Sequence, residues 1–194
     1  VTALTDRMRT CAAHGMTFAY ADPPYLGCGK LYPEHPAARD WDDPHTHYRL
    51  IDRLFDEYPD GWVLSCHEPS LHILRAYAGR DCRTGIWVKP FAVFKPNVNP
   101  AYAWEPVIFR GGRKFERYDD KVRDWVAANI RMQSGTIGSK PRDFCRWVFS
   151  LLNARQGDTL DDLFPGSSAV AAAWAEWTGD QSPLPLLPLE MSAS

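Results

Sequence analysis

The chain has 194 residues, 45% of them hydrophobic and 24% charged, with a formal net charge of −2. That profile predicts one folded domain with a real core, too short for two, and excludes a disordered polar chain. No apolar run approaches a membrane span, and the first residues do not resemble a signal peptide.

The five cysteines (Cys11, Cys28, Cys66, Cys82, Cys145) are scattered, odd in number and never in CxxC spacing, which fits a reduced, cytoplasmic compartment. Charge is unevenly spread. Residues 75–146 carry 15 Lys and Arg against 7 Asp and Glu. A basic middle in an otherwise acidic chain predicts a face that meets a polyanion, with a solvated arginine-rich loop as the plainer alternative.

In chain order, residues 5–13 have the spacing of a short helix. Residues 16–22 form an apolar run (Met16, Phe18, Ala19, Tyr20) that reads as a buried strand and stops at Asp22-Pro23-Pro24-Tyr25. The two prolines lack N–H groups and fix φ, so they end strand pairing and hold the next backbone rigidly. A carboxylate at the carboxyl end of a buried α/β strand stands where such folds bind ligands. The Asp22 carboxylate, the Pro23 carbonyl and the Tyr25 ring thus present two acceptors beside a stacking platform, which suits a planar group bearing an exocyclic amine.

Residues 26–44 read as loop, rich in Gly, Pro and Asp and long enough to be functional; Tyr32, His35 and Trp41 on it are candidates to close over a ligand. A helix is predicted over 44–58 from the spacing of Tyr48, Ile51, Leu54, Phe55 and Tyr58, stopped by Pro59-Asp60-Gly61. Strands are predicted at 61–66, 83–89 and 104–110, with a helix at 70–77 between the first two. Residues 91–104 are aromatic and interrupted by Pro and Asn, the signature of a loop or long hairpin connection. Residues 122–130 show helical spacing, and Gly135 and Gly138 mark loop after them.

Pro141 opens an amphipathic helix over Phe144, Trp147, Val148, Leu151 and Leu152, predicted to end near Arg155-Gln156-Gly157. Residues 158–164 read as a fifth strand, Pro165-Gly166-Ser167-Ser168 as a tight turn, and 169–177 as an alanine-rich helix. The tail from Gly179, with prolines at 183, 185 and 188, is predicted to form no regular structure. Strands alternating with helices predict an α/β sheet of about five strands.

Residues 157–170 carry a second signal: a strand ending in an acid, a Gly/Ser turn and a helix start, a nucleotide-type cradle in which Asp162 faces a cationic or amine group. The histidine pairs His45/His47 and His67/His72 miss the helical zinc spacing, so no metal is expected.

The two constellations together resemble the S-adenosylmethionine (SAM)-dependent amino-methyltransferases of nucleic acid, across most of the chain. DPPY at 22–25 is the form associated with N6-adenine enzymes. Gly138-Ser139-Lys140-Pro141 resembles the family's KP element, and Gly157-Asp158 with Asp162-Leu163-Phe164-Pro165-Gly166-Ser167 its GD…DPFxGSG cofactor motif. The catalytic motif precedes the cofactor motif, as in the permuted beta class. The resemblance implies a reduced, circularly permuted Rossmann-like methyltransferase sheet with helices on both faces, and the 158–164 strand beside the 16–22 strand. It implies a single methyltransferase-like domain over 1–178, a short basic insert at 111–138 in place of a recognition domain, and a Pro-rich tail at 179–194.

It further implies catalysis by Asp22, Pro23, Pro24 and Tyr25, and SAM held by Lys140, Asp162, Leu163, Phe164, Gly166 and Ser167. Nucleic acid would meet Arg110, Arg113, Lys114 and Arg117 at its phosphates and Phe91 or Tyr102 at the base. The implied activity is methyl transfer to the N6 amine of adenine in DNA, with either a homodimer or a separate partner supplying target recognition, and no membrane. Two alternatives stand beside it: an inactive methyltransferase-like nucleic-acid-binding subunit, and a methyltransferase acting on RNA or another amine. Leu163 stands at the motif proline, Ser168 at its second glycine and Ala169 at its threonine. No strand ending in a ribose-binding acid follows, and Glu176, Asp180 and Glu190 lie outside its expected context.

Overall fold

The computed structural model describes residues 15–33, 35–91, 97–130 and 139–179; the predicted helix at 5–13 and the tail beyond Gly179 lie outside the described residues. Among the described residues six strands form one mixed sheet: β1 (Thr17–Ala21), β2 (Gly61–Ser65), β3 (Arg83–Val88), β4 (Trp104–Gly111), β5 (Trp125–Ala127) and β6 (Thr159–Asp162), in the order β5-β3-β4-β2-β1-β6. β1 runs parallel to both neighbours, with Ala19 opposite Trp62 of β2 and Asp161 of β6. β3 and β5 are parallel, and β4 runs antiparallel to β2 and β3. The carboxyl ends of β1, β2, β3, β5 and β6 therefore share one edge with the amino end of β4.

Side chains alternate across the sheet, as a strand's period of two requires. Phe18 and Tyr20 point to one face, where α3 (Arg142–Leu151) and α4 (Ala169–Thr178) bury Phe144, Val148, Val170 and Ala173 against them. Ala19 and Ala21 point to the other, and their small side chains leave room for α1 (Pro44–Glu57) and α2 (Glu68–Ala78) to bring in Leu50, Ile51, Leu54 and Leu74. Asp43 caps α1 by accepting from the His45 N–H at 2.9 Å, and Pro44 occupies the first turn, where its missing N–H costs nothing. No helix among the described residues is long and apolar enough to cross a membrane.

The five expected strands are present at their places, and the 158–164 segment pairs with β1 as the resemblance implied. Three local readings are corrected. The 122–130 segment contains β5 instead of a helix: the Ile86 N–H donates to the Asp124 carbonyl and the Ala128 N–H to Val88, so β3 captures it as an edge strand. Trp147 and Trp87 pin it further by donating their indole N–H groups to the Arg123 and Ala128 carbonyls. The helix after Pro141 stops at Leu151, short of residue 155, with Asn153 at φ 48° turning the chain. The 26–44 segment contains two 3-10 helices, Gly29–Leu31 and Pro36–Asp42.

The edge opposite the carboxyl ends is closed by a clasp on Asp158. Its carboxylate, 1% exposed, accepts from the Met16 and Arg155 backbone N–H groups at 2.8 Å each and from Arg113 Nη2 at 2.5 Å. Burial alone would raise the Asp158 pKa, but these donors outweigh it and hold it below the usual carboxylate value. A depressed carboxylate pKa contributes stability that is present above the unfolded value and lost as pH falls through the folded one. Arg113→Gln is therefore expected to destabilise the fold by about 1.5–3 kcal/mol at neutral pH. The difference from wild type should shrink below about pH 4, the range of a free aspartate. Urea denaturation at the two pH values measures it, and an unchanged midpoint at neutral pH would remove the clasp from the account.

Candidate active site

β1 delivers Asp22 to the carboxyl edge of the sheet, and the buried Pro23 fixes the backbone behind it. The groups around Asp22 come from elements far apart in sequence. Lys140, the residue before the Pro141 cap of α3, sets its ammonium 3.1 Å from Asp22 Oδ1, 3.1 Å from the Tyr25 hydroxyl and 3.4 Å from Glu105 Oε2. Glu105, near the start of β4, pairs on its other oxygen with Lys89. The Tyr25 hydroxyl lies 3.2 Å from Asp22 Oδ1 and 3.1 Å from Glu105 Oε2, within donating distance of both carboxylates. The result is a row of alternating charge, Asp22, Lys140, Glu105 and Lys89, tied together by one phenol.

Burial of these groups is deep, with side-chain exposures of 8% for Lys140 and 21% for both Asp22 and Glu105. Burial by itself would lower the Lys140 pKa, but the two carboxylates outweigh it and raise it, so the ammonium stays charged. Burial raises Asp22 above its ordinary value despite the opposing pull of Lys140. Glu105 is lowered, because Lys140 and Lys89 together overcome the burial cost. The rings of Trp87, Tyr25 and Phe144 surround the ammonium at 5.5, 5.6 and 5.6 Å, further support for a buried cation.

Tyr25 stacks on His67 with ring centroids 5.5 Å apart and 23° between planes, so one face of the expected stacking platform is occupied. His67 is itself held by Ser70 at 2.8 Å. Phe91 and Tyr102, 63% and 58% exposed, flank the same edge in the connection between β3 and β4.

The second constellation adjoins the first. β6 pairs Asp162 with Tyr20 of β1, and the Leu163 N–H donates to the Tyr20 carbonyl at 2.9 Å. Asp162 accepts from the Phe164 N–H at 3.2 Å and has no cationic partner among the described residues. Burial first, and the charge of Asp22 after it, push its pKa up to about 6. Phe164 packs edge-on against Trp41, which in turn packs on the buried His47. Pro165, Gly166 and Ser167 are exposed, and Ser167 donates to Ser139 at 3.2 Å. The 139–140 segment thus touches both constellations: Ser139 the turn after β6, Lys140 the Asp22 cluster.

The four basic residues expected at phosphates lie toward the other edge of the sheet. β4 runs against β1, so its carboxyl end leads to the opposite edge, and Arg110 lies five residues, about 17 Å of extended chain, beyond Glu105. Arg110 covers the Phe55 ring at 4.9 Å, and Arg113 belongs to the Asp158 clasp. Lys114 and Arg117 follow on that same far edge. The basic stretch thus stands at the edge opposite Asp22, because a strand's direction is set by the partners it finds. Sequence reasoning also missed Glu105 and the Lys140–Asp22 pairing; the one available signal was an acid at the head of an otherwise apolar strand.

No family model matches the chain, and no curated protein matches it. Among solved structures, M1.HpyAVI in complex with SAM is similar with a TM-score of 0.57 at 12% identity, covering 84% of this chain and 79% of that one. A second structure of M1.HpyAVI gives a TM-score of 0.50 at 12% identity over 84% and 77% of the two chains. The fold is thus the α/β Rossmann-like methyltransferase fold, with a mixed six-stranded sheet and helices on both faces.

The raised pKa of Asp162 has a stability consequence whose sign is opposite to that of Asp158. An acid whose folded pKa lies above its unfolded value destabilises the fold as pH rises between the two, here from about 4 to about 6. Asp162→Asn keeps an acceptor for the Phe164 N–H and removes that cost. It should gain up to about 3 kcal/mol at pH 7 and nothing at pH 4. Equal stability of the two proteins at pH 7 in urea titrations would contradict a largely buried carboxylate with no cation beside it among the described residues.

Proposed function

We propose that the chain transfers a methyl group from SAM to the exocyclic amine of a nucleobase, the N6 amine of adenine in DNA. The observation that carries this reading is the Asp22 carboxylate at the carboxyl end of β1, with Lys140 on one oxygen and two prolines fixing the backbone behind it. The site fits SAM at its amino-acid end: Asp162 is a largely buried carboxylate with no cation beside it among the described residues, and an ammonium would neutralise it. Leu163, Phe164, Gly166 and Ser167 line the turn next to it, and Ser139 joins them through Ser167. When bound there, SAM would supply a methyl group activated by its sulfonium.

The residues of the chain do the rest. The lone pair of an adenine amine is delocalised into the ring and is a poor nucleophile. Hydrogen bonds from that amine to Asp22 and to the Pro23 carbonyl favour a tetrahedral nitrogen and return the lone pair to it. Asp22 then accepts the proton that the nitrogen sheds on forming its new bond to carbon. Most of the catalytic effect is orientation and fixed electrostatics. A base inside a duplex does not reach such an edge, so the target nucleotide is flipped out or single-stranded. Phe91 and Tyr102 are the exposed rings available to cover it. The choice of adenine over cytosine rests on the DPPY form.

The second reading, a binding subunit without activity, draws on the sequence, where the alanine-rich helix runs into a proline-rich tail in place of a strand ending in a ribose-binding acid. Among the described residues the sheet ends at β6, and Glu176 pairs with Arg142 at 2.5 Å. Among the described residues no acid is assigned to the SAM ribose.

Two substitutions separate the roles. Asp22→Ala should abolish transfer of labelled methyl to DNA and leave SAM affinity within about twofold. Asp162→Ala should weaken SAM binding by about 1.5–3 kcal/mol, the range for a hydrogen bond to a charged group. Calorimetry and a filter-binding transfer assay read the two. Turnover by Asp22→Ala near the wild-type rate would overturn the mechanism, and no SAM binding by the wild-type chain would favour the binding-subunit reading.

A further inference from the structure

Glu105 has no part in the chemistry described above, yet it is among the most constrained side chains at the edge. It sits on β4 opposite Trp87 of β3, in the interior of the sheet. One carboxylate oxygen is held by Lys89, while the other lies 3.4 Å from the Lys140 ammonium and 3.1 Å from the Tyr25 hydroxyl. A carboxylate clamped on both oxygens does not rotate.

The arithmetic of donors explains what that clamp does. A lysine ammonium has three N–H groups and no acceptor. Here its three partners are Asp22 Oδ1, the Tyr25 hydroxyl and Glu105. Asp22 Oδ1 also lies within reach of the Tyr25 O–H, whereas no group among the described residues donates to Oδ2. Without Glu105, the third N–H of Lys140 would turn to the remaining oxygen of Asp22. That is the oxygen a substrate amine needs.

We propose that Glu105 is a positioning residue: it draws Lys140 and Tyr25 to one side of Asp22 and so reserves the second carboxylate oxygen for the amine undergoing methylation. The proposal rests on the methyl-transfer reading for the identity of that amine, but the hold of Glu105 on Asp22 does not depend on it.

The same geometry carries a titration signature. Asp22 is faced by Lys140 ahead of α3, by Glu105 on β4, by its neighbour Tyr25 and by Asp162 on β6. Tyr20, Tyr32, Cys66 and Cys145 also face it, but burial pushes their pKa values up and they stay neutral. The negative charge of Glu105 raises the Asp22 pKa, and the hold on Lys140 keeps that cation shared. Removing the charge lets Asp22 titrate at lower pH, for both reasons.

The test is Glu105→Gln in the full chain, with two readouts. Carbon NMR of carboxyl-labelled aspartate follows the Asp22 midpoint, which should move to lower pH. Methyl-transfer kinetics should show kcat reduced about 10- to 100-fold, the loss expected from a misplaced acceptor, with KM for SAM within about twofold. The acid limb of kcat should move down with the midpoint. An unmoved Asp22 midpoint overturns the proposal, as does a loss of kcat with the acid limb in place. If Glu105→Gln does not fold, Lys89→Met keeps the charge of Glu105 but releases its other oxygen. It should then lower kcat in a folded protein, and wild-type kcat there overturns the proposal. Should the wild-type chain transfer no methyl group, the NMR arm still decides: a shifted midpoint keeps the hold of Glu105 on Asp22, and the methyl-transfer reading falls alone.

Discussion

The edge of the sheet that carries Asp22 depends on burying one ammonium group. Taking a lysine out of water costs several kcal/mol unless carboxylates and ring faces replace the solvent. Lys140 meets that condition with Asp22 on one side, Glu105 on the other, and the faces of Trp87, Tyr25 and Phe144 around it. Those groups arrive from β1, β4, β3 and α3, so the charge cluster and the sheet specify each other. Tyr25 is oriented by the same carboxylates, which is why its ring lies flat on His67 instead of standing open.

Topology then divides the molecule into two ends with different work. The carboxyl ends of β1 and β6 bring Asp22 and Asp162 side by side, one beside a lysine and one without a cation among the described residues. The opposite end is a structural closure, where Asp158 gathers two backbone N–H groups and Arg113. The reversed direction of β4 moves the basic stretch after it to that closure. At the edge of Asp22 the exposed rings are Phe91 and Tyr102, while the arginines that composition singled out stand at the other end.

Much of this was legible in the chain. Apolar runs ended by Pro or Gly located five strands, since buried strands need such runs and prolines end their pairing. The DPPY and GD…GS stretches marked the right strand ends, and the pairing of β6 with β1 followed from them. What was not legible is long-range. β5 has three residues and is a strand only because β3 offers it partners; its Val122, Val126 and Ile130 repeat every four residues, which a helix would also satisfy. The direction of β4, and with it the place of Arg110 to Arg117, has no local signature. The meeting of Lys140, Glu105 and Asp22 joins residues up to 118 positions apart, and only Glu105, an acid heading an apolar strand, hinted at it.

Among the described residues β6 is the last strand on its side of the sheet, and α4 sets Trp174 and Trp177 against Phe149 of α3. That packing closes the core on the α3 and α4 face. Whether the edge of Asp22 performs chemistry is decided by supplying methyl-labelled SAM and unmethylated DNA to the full chain, digesting the DNA and separating the nucleosides. The account predicts label in N6-methyldeoxyadenosine. Label in N4-methyldeoxycytidine, or none although SAM is bound, would contradict it.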